Sequence, residues 1–200
     1  MNNDAVECIR HHVWSGFYNP GEILTIVTEE AFEPGEIDTG EASAIIASEV
    51  ARKTKEEALW PSITDCDKLD TVFKELNAMG IIALQNAGYT QSDGMSDMTE
   101  RYEELGGESS PVIGYCFYHG QDLERAVRGE GLMVTFGDIK GTDEKGIEIG
   151  RIIKDKLSHA GFTVKWNGTI GQRLEIETFD WKRRGPCTTP TVKKPWWKVW

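Results

Sequence analysis

The sequence predicts an α/β (α+β) fold, with N-terminal helices packed on a mixed sheet of five strands that closes in an antiparallel hairpin. Three observations predict it. The first 80 residues place their apolar side chains at helical spacing. From Gly80 onward, short apolar or alternating runs are separated by amphipathic stretches, in the order strand, helix, strand, helix, strand, helix, strand, strand. The last two strands flank Asn167-Gly168, a turn dipeptide that joins neighbours running in opposite directions.

Each element has its own local reason. Val6–Val13 reads as a first helix. Asn19-Pro20-Gly21-Glu22 supplies an N-cap, a proline at the first helical position and an acid at the third, ahead of Ile23, Ile26, Val27 and Ala31. Pro34-Gly35 stops that run. A third helix opens near Asp38-Thr39, carries Ala42, Ile45, Ile46 and Val50, and breaks at Trp60-Pro61. The fourth opens at Thr64 or Asp65, aligns Leu69, Val72, Phe73 and Leu76, and ends at Gly80. Ile81–Leu84, Val112–Tyr118 and Leu132–Phe136 read as strands. Helices around Met95–Leu105, Leu123–Val127 and Ile149–Ala160 lie between and after them. Phe162–Trp166 and the run through Leu174 and Ile176 alternate as the hairpin strands.

The organisation expected is one globular domain over residues 1–184, helical to residue 79 and α/β from 80, with a basic, Trp-rich tail over 185–200. The helices of residues 1–79 are expected to cover the sheet. Charge is unevenly spread along this frame. The chain carries 22 Lys and Arg against 33 Asp and Glu, a net of -11. Six of the basic residues and none of the acids fall from Lys182 onward, which leaves residues 1–181 at -17. A body that acidic repels phosphate backbones and anionic lipid, so neither nucleic acid nor a membrane surface is the expected partner. No apolar run reaches the ~18 residues of a membrane helix, and residues 1–10 lack a signal-peptide layout. Cys8, Cys66, Cys116 and Cys187 are widely spaced, as in reduced cytoplasmic proteins.

Two stretches carry polar groups where a strand ends and a helix begins, which is where α/β sheets hold ligands. In Gly114–Asp122, His119 is the candidate acid or base, with Asp122 or Gln121 to orient it. The competing reading makes Gln121 or Asp122 a helix cap and His119 a strand terminus bonded to backbone. In the loop Asn86–Gly94, backbone N–H groups, Asn86, Ser92 and Asp93 are candidate ligand contacts, or Ser92 or Asp93 is an N-cap. A pocket walled by Tyr115, Phe117 and Tyr118 would favour the ligand reading. His11 and His12 are adjacent and diverge by about 100° on a helix, so no metal site is expected, and no cofactor. Cys116 sits inside an apolar strand and reads as inert core; Trp166 and Trp181 read as packing residues.

Several spaced segments resemble a bacterial family of unknown function: Gly80-Ile-Ile-Ala with its Asn-Ala-Gly loop, Gly114–Asp122, Gly131–Gly137 and Phe179–Arg184. The resemblance spans most of residues 5–184 and implies a single-domain cytoplasmic protein without an assigned activity. Two functions stay open on the sequence. One is a non-enzymatic binding or regulatory protein that engages a protein partner or its own copy, with Trp196, Trp197, Trp200, Lys193 and Lys194 of the tail as contacts. The other is a small-molecule enzyme or ligand-binding protein built around His119 and Asp122.

Overall fold

Helix caps and apolar stripes determine where the elements begin. A computed structural model describes residues 1–185, in two units that are each described by itself: residues 1–64 with 181–185, and residues 65–180. Trp196, Trp197, Trp200, Lys193 and Lys194 lie outside the described residues. None of the described helices is long and apolar enough to cross a membrane.

In the first unit, α1 (Asn3–Ser15) is capped by Asn2, whose side chain accepts from the Ala5 N–H. Helix α2 (Pro20–Thr25) opens with the predicted capping box, the Asn19 side chain accepting from Glu22 N–H and Glu22 from Asn19 N–H. It runs on as one π-helical turn, Ile26–Glu30. Helix α3 (Thr39–Glu57) is capped by Asp38. Ala5, Ile9 and Val13 of α1, Ile23 and Val27, and Ala42 and Ile46 of α3 bury one another in a single apolar cluster. The stripes of these three helices therefore have a partner surface in each other. Trp181 donates through Nε1 to the Ser15 carbonyl at 3.1 Å, and the Arg183 guanidinium lies 4.7 Å from the centre of the Phe17 ring. The packing role read for Trp181 holds.

The second unit is the α/β part, and it begins one helix earlier than residue 80. Helix α4 (Asp65–Ala78) belongs to it and packs on β1 (Ile81–Leu84), with Asn77 bridging to the backbone of Ala83 in both directions. The remaining elements are α5 (Gln91–Glu104), β2 (Gly114–Phe117), α6 (Gly120–Val127), β3 (Leu132–Asp138), α7 (Asp143–His159), β4 (Val164–Lys165) and β5 (Leu174–Ile176). The sheet order is β1-β2-β3-β5-β4, with β1 and β2 parallel and every other pair antiparallel. This is the expected mixed sheet of five strands, closed by the β4–β5 hairpin.

Strand alternation gives the sheet two different faces. On one, Phe73 of α4 meets Tyr118 at 6.1 Å between ring centres, and α7 lies so close to β2 that a Cβ at Gly114 would stand 2.7 Å from Ile149 Cγ1. Phe136 and Trp166 meet edge to face at 5.4 Å beside α7, the packing role read for Trp166. Cys116 is fully buried here, and burial pushes its thiol far above the ordinary value. On the other face, Met98 of α5 packs with Ile82 and Phe117, and Met95 and Tyr115 border that cluster. This cover leaves Tyr115, Thr135 and Gly137 bordering open space, and a cleft forms there.

Candidate functional site

The strand end Tyr118-His119-Gly120 and the loop after β1 are bound to each other backbone to backbone. Ala87 N–H donates to Tyr118 O at 2.9 Å, Gly120 N–H to Gly88 O at 2.9 Å and Gln121 N–H to Tyr89 O at 3.1 Å. The two stretches singled out in the sequence are therefore neighbours. Thr90 is the cap of α5, and its side chain accepts from Asp93 N–H while Asp93 accepts from Thr90 N–H and Oγ1. These bonds, the Thr90 N–H first, hold the Asp93 carboxyl below the ordinary carboxylate range. Asp93 is thus committed to the loop. Ser92 is exposed on a shallow open groove along α5, and Asn86 holds the left-handed conformation at φ 50°.

His119 precedes α6 in extended conformation and is 4% exposed; Asp122, three residues on, is 1% exposed. Asp122 Oδ2 accepts from the His119 N–H at 3.3 Å, so the capping role read for Asp122 is present. The imidazole also meets two charged side chains. Its Nε2 lies 3.1 Å from Asp122 Oδ2 and 3.2 Å from Arg173 Nη1. Arg173 Nη1 also donates to Asp122 Oδ1 and Oδ2, at 3.1 and 3.0 Å. Burial holds His119 below its ordinary value of 6.5; the Asp122 charge opposes this and the Arg173 charge adds to it. Gln121 is exposed and stands apart from the triad.

Arg173 connects this triad to the cleft. It directly precedes Leu174, which pairs with Val134, so its side chain shares a sheet face with Thr135. Both line the cleft, a concavity of about 690 Å³ bordered also by Tyr115, Met133, Gln91 and Asp138. Of the three aromatics expected to wall a pocket, only Tyr115 does so; Phe117 and Tyr118 are fully buried. Gly137 makes the space, since a Cβ there would lie 2.5 Å from Tyr115 Oη. Burial, then the Asp138 charge, pushes the Tyr115 phenol above its ordinary 10. Thr135 is 5% exposed and its Oγ1 is buried without a hydrogen-bond partner among the described residues.

Thr135, Asp138 and Arg173 escaped the sequence reading. The signal for Thr135 was a strand with Leu132, Val134 and Phe136 on one face and Met133, Thr135 and Gly137 on the other, a face too polar to lie under a helix. Comparison with curated proteins and with solved structures returns no match. A family model does match, over residues 1–185, in keeping with the expected membership of a family of unknown function. The chain belongs to the family described as Domain of unknown function (DUF6891).

Proposed function

We propose that the protein binds a small molecule in the cleft beside Thr135 and Arg173, which moves the ligand-binding alternative from His119 and Asp122 themselves to the cleft that Arg173 joins to them. One observation carries this. A hydroxyl buried without a partner costs about 1–3 kcal/mol, and Thr135 Oγ1 is such a group at the border of an open, polar cleft. Valine would fill the same volume without that cost, so the hydroxyl is explained by a group that bonds it when the cleft is occupied. Its volume falls within the ~300–1,000 Å³ of ordinary small-ligand sites. His119 and Asp122 serve this site indirectly, by fixing the Arg173 Nη1 that reaches both of them. The reading assigns binding and no reaction.

Engagement of a protein partner or a second copy remains the other proposal, supported by the charge of -17 over residues 1–181, which would steer a basic partner. Cytoplasmic location is proposed on the wide spacing of Cys8, Cys66, Cys116 and Cys187, as in reduced proteins. The cleft is tested by titrating the full chain, labelled with nitrogen-15, with a fragment set of neutral, anionic, cationic and zwitterionic members. Amide shifts gathered on Tyr115, Thr135, Gly137 and Gly141 are expected. Hits that leave these four still would overturn the reading.

A further inference from the structure

Resting on that reading, we infer that the ligand is a linear zwitterion, with a carboxylate held by Arg173 and an ammonium held by Asp138. The cleft has two poles. At one stand Arg173 and the Thr135 hydroxyl. Arg173 spends Nη1 on Asp122 and His119, while Nε and Nη2 have no bond among the described residues. Two adjacent N–H groups of a guanidinium match a carboxylate in bidentate fashion.

At the other pole stand Asp138 and Asp143. Asp138 Oδ2 accepts from Lys140 N–H at 3.1 Å, Thr142 N–H at 3.2 Å and Thr142 Oγ1 at 3.1 Å, which fixes the carboxylate. Its Oδ1 is left without a bond among the described residues. Here α7 begins, but Asp143 and Glu144 in its first turn already match the helix dipole, so this end does not call for a further anion. It calls for a cation or strong donor. A ligand with a carboxylate alone would leave two acids facing it; one with an amine alone would give Arg173 Nε and Nη2 no acceptor.

Thr135 and Asp138 both border the cleft, and they are three residues apart along β3, a backbone span of ~10 Å. An extended tripeptide has the same length, at ~3.3–3.6 Å per residue. An α-amino acid is too short to reach both ends. Two sources share the chemistry, a short peptide and a long ω-amino acid.

Four probes test it on the full chain at low ionic strength, each followed by the Thr135, Gly137 and Gly141 amides: triglycine, 8-aminooctanoate, octanoate and octylamine. The two zwitterions are expected to bind about tenfold or more tightly than either single-charge compound, the worth of one charge-assisted hydrogen bond. Preference for triglycine identifies a peptide ligand, and preference for 8-aminooctanoate a non-peptide one; either supports the inference. In Asp138→Asn the advantage of a zwitterion over octanoate should disappear. Octanoate or octylamine binding the cleft as tightly as the zwitterions would overturn the two-pole inference and leave the cleft standing as a ligand site. If none of the four moves these amides, the inference fails; the cleft reading fails with it only if the fragment set is silent there too.

Discussion

The two faces of the sheet carry opposite solutions to the same covering problem. Under α4 and α7 the face is apolar and tightly closed. Cys116, Val134, Leu174 and Ile176 are fully buried, and α7 approaches β2 closely enough to require glycine at 114. The opposite face is covered over β1 and β2 by α5, whose Met98 packs with Ile82 and Phe117. Over β3 and the start of β5 it carries Thr135, Gly137 and Arg173 and borders the cleft. From Leu132 to Gly137 the same strand, β3, therefore builds core with its even residues and a site with its odd ones, and Asp138 at its end borders the cleft as well. Polar groups gather where helical cover ends, because only there can something other than the chain satisfy them.

The largest effect expected from this contrast lies on the closed face. Ile153 of α7 is fully buried, and truncation to alanine leaves a cavity that the surrounding helix and strand cannot fill. Ile153→Ala should cost about 2–5 kcal/mol of stability in chemical denaturation. Fragment shifts at Thr135 and Gly137 should persist in the variant, since the side chain lies on the other side of the strand. Loss of those shifts from a folded Ile153→Ala protein would mean the two faces are coupled and that the contrast is drawn too sharply.

Most of the closed face was legible in the sequence, and much of the open one was not, for a physical reason. Helical spacing through Leu69, Val72, Phe73 and Leu76, or through Ile149, Ile153 and Leu157, states directly which side is buried, because burial of those side chains is what drives the packing. The Asn19-Pro20 cap and the Asn167-Gly168 turn are equally local. His119 and Asp122 were found because they are three residues apart across a helix start. Arg173 was missed because it meets them across 54 and 51 residues of chain, through a register that no local pattern encodes. The grouping of α4 with the earlier helices had the same origin: its stripe shows that a partner exists, while the choice of β1 as partner is a matter of tertiary topology.

The triad at the edge of the open face should report its burial through pH. His119 has a folded-state value below 6.5, while in the unfolded chain it returns to about 6.5. Between these values the unfolded chain binds the extra proton, so stability rises with pH and is lost as pH falls below 6.5. A tenfold difference in proton affinity is worth about 1.4 kcal/mol. His119→Asn, which keeps a good capping residue, should flatten the stability profile between pH 5 and 7 relative to the parent chain. Ring-proton shifts of His119 followed by NMR give the direct check. A midpoint above 6.5 would mean that the Asp122 charge outweighs burial and the Arg173 charge together.

The smallest change in stability, and the sharpest contrast, is expected at Thr135. Replacement of a satisfied buried hydroxyl leaves its partner without a bond and costs about 1 kcal/mol or more. Thr135 Oγ1 has no such partner among the described residues, so Thr135→Val removes only the unmet hydroxyl and keeps the β-branched shape that β3 favours. The variant should be as stable as the parent or up to about 1 kcal/mol more so by denaturant titration. Its affinity for whichever zwitterion binds the parent cleft should fall, because the hydroxyl is then a bonded group and its loss is felt only in the complex. A core residue behaves in the opposite way, losing stability on truncation and leaving binding alone. If Thr135→Val lowers stability by more than 1 kcal/mol with binding unchanged, the hydroxyl belongs to the fold, and the open face is core like the other.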